Sequence, residues 1–119
     1  MITLEFPWPP AALSPNARPH WATKAKAAKK YKADCYWACK AAYTHHERLD
    51  LMSRLGGLKL AVTFHPPDKR RRDSDNLMGS GKYLFDAISE FTQIDDSRFT
   101  YTISKSTPIK HGAVKVCIK

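Results

Sequence analysis

The sequence has no apolar run that approaches the ~20 residues needed to cross a bilayer. Its opening, Met1-Ile2-Thr3-Leu4-Glu5, carries an acidic residue and no basic stretch ahead of an apolar one, so it does not read as a secretory signal. Cysteine is scarce: Cys35, Cys39 and Cys117. An odd count with no export signal fits free thiols in a reducing cytoplasm. Cys35 and Cys39 stand four apart with no Cys or His pair at zinc spacing elsewhere, so they read as small core residues. Internal repeats and low-complexity tracts are also missing. Negative charge is in short supply, with 11 Asp+Glu against 20 Lys+Arg and a net charge of +9. That imbalance favours a phosphate-rich partner, nucleic acid ahead of an anionic membrane.

What remains is the material of one small domain over residues 1–119, with 43% hydrophobic and 11% aromatic residues, too apolar for disorder. A core of this size is modest, and a dimer would add to its stability. Ile2, Leu4 and Phe6 alternate with Thr3 and Glu5, which predicts a strand. Five prolines over residues 7–20 predict a loop. Residues 21–43 lack Gly and Pro, and Tyr31, Cys35, Ala38 and Ala42 share one helical face. Thr23 is the expected N-cap region. Lys24, Lys26, Lys29, Lys30 and Lys32 oppose the dipole of that helix, a penalty a nearby polyanion would reverse. The bland reading is a solvated lysine face.

Gly56-Gly57 breaks the chain, and Leu58, Leu60, Val62 and Phe64 alternate in a second strand. A second helix is expected over residues 77–90, weakened at its start because Gly79 and Gly81 each cost about 1 kcal/mol relative to Ala. Phe99, Tyr101 and Ile103 predict a third strand, and Val114, Val116 and Ile118 a fourth. The tract Pro108-Ile109-Lys110-His111-Gly112 reads as a hairpin connection. The expected fold is α+β, in the order β-α-β-α-β-β, with two helices on one side of a small mixed sheet.

The chemistry concentrates in Lys69-Arg70-Arg71-Arg72-Asp73-Ser74-Asp75-Asn76. Four cations hold polyanions; two carboxylates spaced i, i+2 repel unless a cation sits between them. In extended backbone both side chains would point the same way. Asp95-Asp96, ahead of the third strand, can join them if strands two and three are neighbours. Three carboxylates make a hard oxygen site suited to Mg²⁺ or Mn²⁺. Such a site activates water and stabilises charge on a phosphate under attack. Lys82 stands four residues before Asp86, either as a surface ion pair or as an ammonium beside the scissile phosphate. A calcium loop fails on Leu77 and Met78, and a Walker A loop fails on Asn76 and Tyr83. His45, His46 and His65 show no pattern of ligation.

These residues resemble the RusA-type Holliday junction resolvases, dimeric endonucleases of bacteria and their prophages. The resemblance runs through Phe6-Pro7-Trp8-Pro9-Pro10, the stretch from Phe64 to Leu77, Lys82, Phe85-Asp86-Ala87 and Ile94-Asp95-Asp96-Ser97. It covers nearly the whole chain and is most specific from Arg70 to Asp96. It implies a cytoplasmic homodimer that cuts four-way DNA junctions by paired symmetric nicks in recombination and repair, with Mg²⁺ as cofactor. Carried over residue by residue, the metal-binding aspartates fall on Asp73, Asp75 and Asp96, the catalytic lysine on Lys82 and a DNA-contacting arginine on Arg72. Lys69, Arg70, Arg71, Asn16, Lys29 and Lys30 complete the expected DNA-binding set. The glycines flanking Lys82 depart from the helix formers many members carry there. The alternatives are a non-catalytic DNA-binding protein of the same fold and a nuclease for another branched DNA.

Overall fold

The computed structural model describes residues 3–54 and 56–119. Four strands form one mixed sheet: β1 (Thr3–Pro7), β2 (Leu58–His65), β3 (Phe99–Lys105) and β4 (Ala113–Ile118). Their spatial order is β1-β4-β2-β3, with β4 antiparallel to both β1 and β2, and β3 parallel to β2. The third and fourth strands are therefore not a hairpin. Residues 106–112 carry the chain across β2, and Ser106 N–H to Phe64 O (2.9 Å) and Ile109 N–H to Pro66 O (2.9 Å) tie that crossover to the end of β2. Ile2, expected in the first strand, lies outside the described residues.

One face of the sheet is apolar and covered. Leu4 and Phe6, Leu58, Leu60, Val62 and Phe64, and Val114, Val116 and Ile118 are all buried in one core. The alternate positions, such as Thr3, Glu5, Thr100, Thr102 and Ser104, are exposed, the period-2 pattern of a one-sided sheet. Among the described residues, four α-helices are present where two were expected: α1 (Trp21–Ala42), α2 (His45–Met52), α3 (Ser74–Ser80) and α4 (Lys82–Thr92). The long basic helix α1 packs on α4 and β1 through Ala28, Tyr31, Cys35 and Cys39. Ala42 is exposed, so the apolar stripe runs one step differently from the one read in the sequence. Its N-cap is His20, whose Nδ1 accepts from Ala22 N–H at 3.2 Å, and not Thr23. The Cys35 and Cys39 thiols sit wholly inside the core, and burial raises each to a pKa of about 12, which leaves them inert.

His45 and His46 stand in the first turn of α2. Thr44 caps that helix: its hydroxyl accepts from Glu47 N–H at 3.1 Å, and the Glu47 carboxylate accepts from Thr44 N–H at 2.9 Å. The second expected helix is two. α3 begins at Ser74, earlier than predicted, and Gly81 forms the joint with α4. Gly81 is buried, and a Cβ there would lie 3.3 Å from the Phe85 ring, so the joint is tight as well as bent.

Candidate nucleic-acid and metal interface

The segment after β2 is held by its surroundings, not by regular structure. Arg72 turns its guanidinium inward, with its side chain only 13% exposed. Its Nη1 donates to an Asp68 carboxylate oxygen at 2.9 Å and to Arg70 O at 3.1 Å, and the guanidinium carbon lies 5.6 Å from the centre of the Trp8 ring. Asp68 also accepts from Arg70 N–H at 2.9 Å. The hydrogen bonds from Arg72 and then from Arg70 lower the Asp68 pKa below the ordinary carboxylate value. From the far strand, Lys105 Nζ donates to Arg72 O at 2.8 Å. Trp8 is wedged in turn: its ring meets Phe64 edge-on at 6.1 Å, and Gly112, at φ +72°, lets the chain pass where a Cβ would come within 2.8 Å of it.

With Arg72 occupied inside, Arg70 and Arg71 are the arginines of the run that face solvent. They line a recess of about 780 Å³ together with Trp8, Asn16, Asp73 and Asn76, between the proline-rich loop and α3. Pro15 of that loop lies against α3 so closely that a Cβ on Gly79 would be 2.6 Å from its Cγ. The glycine therefore has a structural cause: it admits the loop that closes the recess.

Asp73 is the N-cap residue of α3, with extended backbone at φ −82° and ψ 144°, and its side chain makes no capping bond. Asp75 already belongs to the first helical turn, so the two carboxylates are not consecutive outward positions of an extended strand as the spacing suggested. Both are exposed. Lys82 opens α4, exposed, with its ammonium 5.8 Å from the Tyr83 ring centre; no ion pair joins it to Asp86.

Asp96 lies elsewhere. β2 and β3 are neighbours, as the sequence reading required, but they are parallel, with Leu58 opposite Phe99 and Phe64 opposite Lys105. The chain leaves β2 for Asp73 at one end of the sheet and enters β3 from Asp96 at the other. At roughly 3.3 Å per residue, a strand of this length holds the two ends about 20 Å apart. Asp96 instead shares a shallower cleft of about 480 Å³ with Asp86, Glu90 and Asp95. Asp95 accepts from Ser97 N–H at 3.0 Å, which lowers its pKa, while the hydrogen bond with Asp95 and the charges of Asp95 and Asp86 raise that of Asp96. Among the described residues, no three His, Cys, Asp or Glu side chains come close enough to hold a metal ion. The donor chemistry suits a hard divalent cation, since exposed carboxylates are what Mg²⁺ takes. The gathering does not occur within one chain in this conformation.

Of the other expected DNA contacts, Lys69 and Lys29 are exposed, and Lys30 pairs with Asp34 at 3.0 Å on the surface of α1. Asp68 and Trp8, which hold Arg72, were missed in the sequence as site residues; the i, i+4 spacing of Asp68 and Arg72 was the signal available.

Residues 7–119 match the family described as Endodeoxyribonuclease RusA. An uncharacterized protein of Xylella fastidiosa (strain Temecula1) is 37% identical over 119 residues, spanning 99% of this chain and 76% of its own length. With the mixed α+β fold, the arginine-aspartate segment and a match over nearly its whole length, the chain belongs to the RusA endodeoxyribonuclease family.

Proposed function

We propose that the chain is a metal-dependent endonuclease that resolves four-way DNA junctions by paired nicks. The observation that carries this reading is the company of Asp73 and Asp75: two exposed carboxylates next to Arg70 and Arg71, on a segment braced from three sides. Arg70 and Arg71 hold backbone phosphate, with Lys29 and its helix neighbours adding a sequence-independent share of affinity. Asp73, Asp75 and Asp96 are the residues that would hold Mg²⁺, with Mn²⁺ as its substitute. Bound there, the cation supplies an activated water and neutralises charge on the phosphate. Lys82, whose ammonium has no carboxylate partner among the described residues, stabilises charge on the leaving oxygen.

The distance between Asp96 and the other two aspartates bears on the assembly. Two symmetric nicks need two identical sites, which a two-fold homodimer provides. The same partner offers a way to bring the Asp73–Asp75 end of one protomer to the Asp96 end of the other. The separation also favours a second reading, a DNA-binding protein of this fold that does not cut.

Incubation with a synthetic four-way junction, a linear duplex and a flap, each with and without Mg²⁺, decides between them. The proposal expects paired, Mg²⁺-dependent nicks in the junction and little cutting of the duplex. Binding without cutting in either Mg²⁺ or Mn²⁺ selects the second reading. Equal cutting of all three substrates selects a general nuclease, and preference for the flap selects a nuclease of another branched DNA.

A further inference from the structure

The recess beside Asp73 is more than phosphate binding requires. A groove for duplex backbone needs cations on an open surface, whereas this hollow of about 780 Å³ is within the size range of small-molecule pockets, roughly 300–1,000 Å³. Its walls are of three kinds. Trp8, Pro9 and Pro10 make an apolar side. Arg70 and Arg71 make a cationic side, exposed and turned to solvent. Asn16 and Asn76 stand in the lining, and among the described residues neither side-chain amide has a hydrogen-bond partner: Asn16 bonds through its backbone N–H and Asn76 through its backbone carbonyl.

An apolar wall, a cationic wall and unpaired amides match the parts of one nucleotide: a flat base, a phosphate and a hydrogen-bonding base edge. A base stacked in duplex cannot enter a hollow, so the occupant must be unstacked, as strands at a branch point are when they separate. The hollow is also built to stay open. Trp8 is fixed by Phe64, Arg72 and the close approach of Gly112, and the proline loop is fixed on α3 through Pro15 and Gly79. A preformed pocket avoids the ordering cost that a flexible one incurs on binding.

We propose that this recess receives a single unpaired deoxynucleotide of the DNA strand, with its base against Trp8, Pro9 and Pro10, its edge read by Asn16 and Asn76, and its phosphate held by Arg70 and Arg71. The proposal rests on the nuclease reading for its biological sense, because Asp73 on the same wall puts the pocket next to the proposed cutting site. It assigns the proline-rich loop and the two asparagines a role in choosing where the strand is cut.

Binding can be read without any cleavage. Titration of ¹⁵N-labelled full-length protein with dAMP, dCMP, dGMP and dTMP, and with deoxyribose 5-phosphate, follows the Asn16 and Asn76 side-chain amides and the Trp8 indole. The proposal expects at least one nucleotide to bind roughly tenfold or more tightly than the sugar phosphate, the scale of one base contact. It also expects those three resonances to shift with nucleotides alone. In Asn16→Ala and Asn76→Ala the difference among the four bases should shrink, while a sugar-phosphate shift at Arg70 and Arg71 persists. Equal affinity for the nucleotides and deoxyribose 5-phosphate overturns the proposal and leaves a plain phosphate site. So do base-dependent shifts confined to other parts of the chain. Failure of the nuclease reading looks different: no DNA is cut, yet the nucleotide shifts remain.

Discussion

The two ends of the sheet both carry aspartates, in opposite company. At the end reached from β2, Asp73 and Asp75 stand beside Arg70 and Arg71, next to a deep recess with apolar and amide walls. At the end that leads into β3, Asp96 faces Asp95 and Asp86 in a shallower cleft, where the hydrogen bond with Asp95, and after it the like charges, raise its pKa above the ordinary carboxylate value. One end is equipped to hold a nucleic-acid strand; the other offers negative charge that repels one until a cation arrives. Among the described residues, neither end gathers three metal-ligating side chains. The parallel pairing of β2 with β3 keeps them apart, so the proposed activity depends on something that joins them.

If both ends serve one reaction, Asp75→Asn and Asp96→Asn should each abolish junction cleavage while leaving junction binding in a gel-shift assay close to wild type. Cleavage by Asp96→Asn at the wild-type rate would remove the acidic cleft from the account. Lys82→Ala should slow single-turnover cleavage about 10²- to 10³-fold, the effect of losing one charge-stabilising donor. A loss of folding stability in its place would return Lys82 to an ordinary surface role. The arginine end should show itself in salt dependence. Arg70→Ala or Arg71→Ala should each reduce the slope of log affinity against log salt by about one unit. An unchanged slope would mean that phosphate is held elsewhere.

The packing of the recess gives a smaller effect. Gly112→Ala places a Cβ against Trp8 at a positive φ, and overpacking of this kind costs about 1–3 kcal/mol in denaturant unfolding. The smallest effect is at Asp68. Its pKa is lowered by the Arg72 and Arg70 hydrogen bonds, so the stability it contributes is present above its unfolded pKa and is lost as pH falls through the depressed folded value. Arg72→Ala should raise that pKa toward the ordinary value in a carboxyl NMR titration. If it does not move, Arg72 is not what steadies the loop.

The sequence revealed the four strands through period-2 alternation, and α1 through a long stretch without Gly or Pro. It hid strand order, because alternation names the buried face of a strand and not its neighbour. The hairpin expected at Pro108–Gly112 failed for that reason: turn residues mark a change of direction, and here the chain passes over β2 instead of folding back beside β3. α2 was legible in Thr44 and Glu47, whose spacing is that of a capping box, yet it was not among the expected helices. At the site, the residue types and their charge were readable and the geometry was not. The resemblance set Arg72 apart as the DNA-contacting arginine; only the fold shows that Asp68 and Trp8 take its guanidinium inward. Gly79 and Gly81 read as weaknesses of a helix, whereas Gly79 makes room for Pro15 and Gly81 forms a close joint.

On the proposed reading, the arginine-flanked aspartates and the distant Asp96 act as one site through a second copy of the chain. A co-purified heterodimer of Asp75→Asn with Asp96→Asn tests it, assayed on a four-way junction in Mg²⁺. Across a dimer, one of the two sites then keeps all its carboxylates and the other loses two. The account predicts recovered nicking, on one strand per junction, from two variants that are each inactive as homodimers. A heterodimer that binds the junction and stays as inactive as either parent would contradict it.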